Sequence, residues 1–109
     1  MFYLEKTIEI SAAHVLELDY ESKCSRVHGH NFQVKVFCKS KTLDKNGMVV
    51  DFDVIKDKVK ILDHRELNPL IPQPTSENIA QYICGMIPKC YKVKVIESEG
   101  NEITYEREY

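Results

Sequence analysis

The chain lacks several features that would assign it to common functional classes. Its 109 residues include 15 Lys and Arg against 17 Asp and Glu, so the excess positive charge that drives non-specific nucleic-acid binding is absent. No run approaches the roughly 20 apolar residues of a membrane span. The four glycines are scattered at positions 29, 47, 85 and 100. There is therefore no glycine-rich loop of the kind that binds dinucleotide phosphates.

Targeting and linker signals are also missing. The N-terminus, "MFYLEKTIEI", has neither the basic start nor the apolar run of a signal peptide, so we expect a cytoplasmic protein. No repeat, low-complexity tract or linker-like stretch interrupts the chain, and residues 1–109 are expected to form a single domain. The four cysteines are irregularly spaced, and in a reducing compartment we expect four free thiols.

Alternating apolar and polar residues predict the strands. The alternation covers residues 2–11, with a possible continuation through "SAAH", and residues 28–39. Two further strands, "YKVKVIE" and "EITYERE", are predicted near the C-terminus, and "MVVDF" predicts one more in the middle of the chain. The strands thus lie on both sides of the predicted helical region, a pattern typical of an antiparallel α+β fold.

Apolar residues at three- and four-residue steps predict two helices between these strands. The first follows Asp51, which we interpret as a structural residue at the helix start. The second is capped by Thr75 or Ser76 and ends at Pro88.

Strand parity directs three of the four histidines inward. His28 and His30 share the face of Phe32, and His14 joins the apolar face of its own strand if that strand continues through "SAAH". Glu97 has the same parity as the apolar residues of "YKVKVIE". Burial of such groups is costly unless each one has a partner.

A divalent metal ion would satisfy these histidines. Two imidazoles on one strand and a third on its neighbour make a three-nitrogen set, and such a set with an open fourth position is typical of catalytic zinc. Backbone carbonyls that satisfy the imidazoles are the alternative. Cys24, in the polar stretch "ESKCSRVH", is then either a fourth ligand of a structural site or a reactive thiol beside the metal.

The motifs taken together resemble one known family. In chain order, "SAAH", "CSRVHGHNF", "DF", "LDH", "PTSEN" and "VIE" are similar to those of the 6-pyruvoyl-tetrahydropterin synthase family, especially its 6-carboxy-tetrahydropterin synthase branch. The resemblance implies the tunnelling fold, or T-fold: a four-stranded antiparallel sheet with two helices packed on one face. It also implies assembly into an oligomeric β-barrel, as a homohexamer of two stacked trimers.

Nine positions match residues that have a role in that family. The resemblance implies the metal ligands His14, His28 and His30, the catalytic residues Cys24, Asp63 and His64, and the substrate-binding residues Glu97, Thr75 and Ser76. Each group has a simpler interpretation from the residues alone. A Thr or Ser before a helix is usually a cap, "LDH" suits a polar helix exit, and "ESEGNE" suits an exposed turn.

The activity that the resemblance implies is that of a Zn2+-dependent lyase. It would convert 7,8-dihydroneopterin triphosphate to 6-carboxy-5,6,7,8-tetrahydropterin, with release of acetaldehyde and triphosphate, in queuosine biosynthesis. The alternatives are a 6-pyruvoyl-tetrahydropterin synthase acting on the same substrate and a non-catalytic module in which zinc ties the strands together. The four-position spacing from Cys24 to His28 favours the carboxy branch.

The triphosphate of the implied substrate affects which binding partners we expect for the chain. No nucleic-acid or membrane partner is expected. A triphosphate needs local positive charge, and the chain has a net charge of −2 with no dense basic cluster. We therefore expect a homo-oligomer in which Lys and Arg of a neighbouring subunit help to hold the phosphates.

Overall fold

Two long strands near the N-terminus form the centre of the fold. The computed structural model describes residues 1–108. Strand β1 (Phe2–His14) pairs antiparallel with β2 (His28–Ser40) along their whole length, from Phe2 opposite Ser40 to His14 opposite His28. Since side chains alternate along a strand, this ladder has one apolar face and one polar face.

Three more strands complete a five-stranded sheet in the order β3-β1-β2-β4-β5. Strand β4 (Cys90–Ser98) lies antiparallel beside β2, and β5 (Asn101–Glu106) returns beside β4. Strand β3 (Arg65–Glu66) pairs in parallel with the end of β1. The expected sheet of four antiparallel strands is confirmed, with the two-residue β3 added at its edge.

Two helices cover the apolar face of the sheet, as expected. Helix α1 (Phe52–Lys60) begins after Asp51, whose Oδ1 accepts from the backbone N–H of Asp53 at 2.8 Å. Helix α2 (Ser76–Met86) is capped by Thr75. The buried residues of the two helices are Ile55, Val59, Ile79, Ala80, Ile83 and Cys84. They share one core with the inward residues of the sheet, among them Phe32, Val34, Val36, Val93 and Val95.

The strand predicted for "MVVDF" is absent from the described chain, so that prediction was wrong. The Oδ1 atom of Asp44 accepts from the backbone N–H groups of Asn46 at 2.8 Å and Met48 at 3.0 Å. These bonds close a tight loop whose N–H groups are satisfied locally rather than by a neighbouring strand. Val49 and Val50 are buried all the same. Their apolar character reflects contact with the core from a loop.

The described thiols agree with the expectation of free cysteines. All four cysteines are free, and Cys38 and Cys84 are buried in the core. Cys24 is half-buried. No helix in residues 1–108 is long and apolar enough to cross a membrane.

Candidate metal centre

Three histidines converge at the end of the β1–β2 ladder. The register places His14 directly opposite His28, and His30 lies two residues further along the same face of β2. The ring centroids are 4.5 Å apart for His14 and His28, 5.3 Å for His14 and His30, and 4.8 Å for His28 and His30. With Glu97, their ligand atoms all lie within 4.8 Å of one another. The structure therefore brings together the three predicted metal ligands, and Glu97 joins them.

Backbone carbonyls orient two of the three rings. His14 Nδ1 lies 2.6 Å from the carbonyl oxygen of Pro74, and His28 Nδ1 lies 2.7 Å from that of Arg26. A carbonyl oxygen only accepts, so each Nδ1 must carry the proton and donate it. Each Nε2 then keeps a free lone pair, which is the usual preparation of a histidine ligand. The sequence did not identify these carbonyls, because any residue type offers one.

Two Nε2 atoms of the histidine cluster are free to bind a metal ion. His14 Nε2 and His30 Nε2 are buried and have no hydrogen-bond partner among residues 1–108. Burial lowers the pKa of His30 below its usual value. Glu97 opposes this effect, and His28 and His14 add to it. The neutral imidazole that this favours is the form that binds metals. Three such nitrogens with a nearby carboxylate oxygen suit Zn2+.

Cys24 lies beside the histidine cluster but outside the ligand group. It lines a cavity of about 560 Å³ together with His28, His30 and Glu97, and its backbone N–H donates to Ser22 Oγ at 3.1 Å. Within the described chain, the group whose ligand atoms lie mutually within 4.8 Å contains the three histidines and Glu97, not Cys24. This arrangement favours a thiol beside the metal over a fourth structural ligand.

Asp63 and His64 lie together, and His64 does not share a cavity with Cys24. Asp63 Oδ1 accepts from the backbone N–H of Ser11 at 2.7 Å, and its Oδ2 is 3.5 Å from His64 Nε2. The His64 side chain is 80% exposed and lines a second cavity of about 490 Å³. That cavity is also lined by Ser11, Asn31 and the metal-site histidine His30, but not by Cys24. Within the described chain, His64 and the thiol therefore line different cavities.

Thr75 and Ser76 have a clear structural role in this chain. Thr75 Oγ1 accepts from the backbone N–H of Asn78 at 3.2 Å, which is the contact of a helix cap, and Ser76 is the first residue of α2. The preceding residue, Pro74, contacts His14. The cap thus holds the end of the loop that orients one histidine, and contact of either hydroxyl with substrate stays a prediction.

The fold and the site define a class of protein. It is an α+β domain in which strand-borne histidines and a carboxylate can hold one metal ion, with a thiol lining the adjacent cavity. Residues 3–108 match the protein family described as 6-pyruvoyl tetrahydropterin synthase. The chain belongs to this family.

Individual relatives carry more than one name. The chain is 35% identical to a Synechocystis protein named 6-carboxy-5,6,7,8-tetrahydropterin synthase, over 90% of this chain and 88% of the relative. It is 36% identical to a Pyrococcus furiosus protein named dihydroneopterin monophosphate aldolase, over 90% of each. Two other Pyrococcus relatives align over 59 residues, which is 54% of this chain and 37% of their own length.

A solved structure shares the whole fold. The 6-pyruvoyl tetrahydropterin synthase of Caenorhabditis elegans superimposes with a TM-score of 0.76 at 28% identity, covering 98% of this chain and 96% of that one. The expected family and its fold are thus confirmed.

Zinc should stabilise the folded chain through the histidine cluster. We expect Zn2+ to raise the melting temperature of chelator-stripped protein, because a ligand at about 1,000 times its dissociation constant adds about 4 kcal/mol of stability. His30→Ala removes one nitrogen ligand and should abolish the increase in a thermal unfolding assay. The matched control is His64→Ala, which removes the histidine outside the cluster and should respond to zinc as the wild type does. An undiminished increase in His30→Ala would refute the assignment.

The Asp63 carboxylate should stabilise the fold in a pH-dependent way. The Ser11 N–H, Lys60 and His64 hold the pKa of this carboxyl below its usual value, against an opposing effect of burial. Its stabilisation is therefore present above the unfolded pKa of about 3.9 and is lost as the pH falls through the lower folded pKa. We expect Asp63→Asn to lower the urea midpoint at pH 7 and to lower it less at pH 3.

The matched control for this effect is Asp57→Asn on the exposed side of α1. It should leave the pH dependence of the urea midpoint unchanged. If the deficit of Asp63→Asn were equally large at pH 7 and pH 3, the negative charge would make no contribution.

Proposed function

We propose that the chain is a zinc-dependent lyase that acts on 7,8-dihydroneopterin triphosphate. The products would be 6-carboxy-5,6,7,8-tetrahydropterin, acetaldehyde and triphosphate. The observation that carries the proposal is the cavity that Cys24 shares with His28, His30 and Glu97. A small molecule bound there could contact a thiol, two of the metal-site histidines and a carboxylate, which supports this choice. The full-length similarity to the Synechocystis relative supports the same choice.

The proposed metal site consists of His14, His28 and His30. When bound, Zn2+ would supply Lewis acidity that makes the hydroxyls and the adjacent C–H bonds of a substrate side chain more acidic. The chain itself contributes the orientation. The carbonyls of Pro74 and Arg26 hold two imidazoles with Nε2 toward the cluster, so little reorganisation is needed on binding.

Glu97 is proposed to recognise the pterin ring. A pterin presents an amino group and a ring N–H side by side, and one carboxylate accepts from both. Glu97 lines the cavity and its side chain is 31% exposed, so its oxygens are accessible to a ligand. Such paired bonds are strong and directional where water is partly excluded.

Cys24 is proposed to take a proton from the substrate side chain. Two cationic side chains, those of Lys23 and Arg26, line the same cavity. These two residues also add local positive charge for the phosphates, in a chain whose net charge is −2.

Asp63 and His64 are proposed to return a proton, acting from a neighbouring copy of the chain. An imidazole can act as a general acid or base, and the Asp63 carboxylate 3.5 Å from His64 Nε2 is placed to orient the ring. His64 and Cys24 line different cavities of one chain, which supports an oligomer whose sites lie at subunit interfaces. We propose a homohexamer of two stacked trimers. A catalytically active monomer in gel filtration would contradict this arrangement.

The activity is tested by turnover. We expect zinc-loaded protein incubated with 7,8-dihydroneopterin triphosphate to release acetaldehyde and a carboxy-pterin, measured by an aldehyde assay and mass analysis. A pyruvoyl-pterin without acetaldehyde would select the activity for which the C. elegans protein is named. Cleavage only of the monophosphate would select the aldolase activity for which the P. furiosus relative is named. No turnover of either substrate would reject all three enzymes.

Substitution of Cys24 separates catalysis from a purely structural zinc site. Cys24→Ala should keep one zinc ion per chain in metal analysis while turnover falls to background, because the thiol is proposed as a base and not as a ligand. A structural module would instead lose zinc together with the thiol. Cys90→Ala is the matched control, since Cys90 is buried in the core away from this cavity and its loss should leave turnover measurable.

A further inference from the structure

Glu97 occupies an irregular position in the sheet. The β2–β4 ladder ends at the pair Gln33–Ile96, and the pairing of β4 with β5 shifts register between Ile96 and Ser98. Glu97 is therefore the bulged residue of β4, one position past the ladder with β2. Bulges redirect side chains and are common beside active sites. Here the bulge comes where β4 passes the end of β2 that carries the histidines.

The Glu97 carboxylate lies close to two of the predicted metal ligands. Glu97 Oε1 lies 3.3 Å from His30 Nε2 and 3.6 Å from His14 Nε2. Both nitrogens are buried and have no hydrogen bond among residues 1–108. Carboxylate oxygens join imidazoles in zinc sites, and a set of three nitrogens and one oxygen makes a complete tetrahedral shell. The donor atoms for four-coordination are thus all supplied by this chain.

The pterin-binding role proposed for Glu97 competes with this position. Acceptance from an amino group and a ring N–H side by side uses both oxygens of one carboxylate. Two parallel bonds of this kind turn both oxygens toward the ring. We infer that the carboxylate moves away from the imidazoles when it makes them.

We propose that Glu97 is the fourth metal ligand of the substrate-free protein and leaves the metal to bind the pterin ring. Arrival of the ring then opens the coordination position that the substrate side chain needs. Before that, the carboxylate closes the site to water and to other oxygen ligands. We call this movement of Glu97 from the metal to the pterin ring the exchange. The exchange rests on the proposed function, whereas ligation of the metal by Glu97 in the substrate-free protein does not.

Ligation is tested first, without any pterin. Zinc affinity of the full chain is measured by competition with a chromophoric chelator. Loss of an outer-shell partner typically weakens metal binding about 10–100-fold, so we expect Glu97→Gln to weaken it by about 100-fold or more. The matched control is Glu99→Gln, an exposed residue two positions away that loses the same charge and should match the wild type. A loss of less than about 10-fold in Glu97→Gln overturns the ligation.

The exchange is tested with Co2+ in place of zinc and a pterin that has no side-chain hydroxyls. The visible absorption of bound Co2+ reports its ligands, and pterin fluorescence reports ring binding independently. We expect the ring to shift the absorption in the wild type and in Glu99→Gln. The spectrum of Glu97→Gln should already differ without pterin and should not change further when pterin is added.

The outcomes separate the two hypotheses. A ring that binds and leaves the wild-type absorption unchanged overturns the exchange but not the proposed function. A ring that does not bind overturns the pterin-binding function and the exchange with it. In either case the zinc affinities still decide whether Glu97 is a ligand.

Discussion

The antiparallel register of β1 and β2 determines where the chemistry of this protein can occur. Thirteen consecutive pairs run from Phe2–Ser40 to His14–His28. The inward residues that precede the histidines are buried and apolar: Ile8, Ile10, Ala12, Phe32, Val34 and Val36. A slip of one residue would turn every inward side chain to the opposite face. The apolar core therefore fixes the register, and the register brings the imidazoles of the two strands together.

The end of this ladder combines burial with incomplete hydrogen bonding. His14 is fully buried, and its Nδ1 is satisfied by the carbonyl of Pro74 while its Nε2 is left without a hydrogen bond among the described residues. An unpaired polar atom of this kind is costly in the folded state. Metal binding would relieve that cost, which couples the stability of the domain to loading of the site.

Two of the groups proposed for catalysis line different cavities of one chain. Cys24 shares its cavity with His28, His30 and Glu97, whereas His64 lines a cavity with Ser11, Asn31 and Arg65. His30 lines both cavities, so both lie beside the end of β2 that carries the metal-site histidines.

Most of the fold was predictable from short-range periodicity, whereas the site was predictable only in part. Alternation located β1, β2, β4 and β5, and helical spacing located α1 and α2. Alternation failed at "MVVDF", because the side chain of Asp44 bonds the backbone there and folds it into a loop. It also gave no sign of β3, whose two residues pair only because the chain returns beside β1.

The sequence by itself determined that three histidines and one carboxylate would face inward, because strand parity is a local property of the backbone. Only the tertiary structure decided that the four would meet, that Pro74 would orient a histidine 60 positions away, and that His64 would line a different cavity from Cys24. The physical reason is that such contacts depend on the path of the whole chain. Periodicity reports only which side of its own strand or helix a residue occupies.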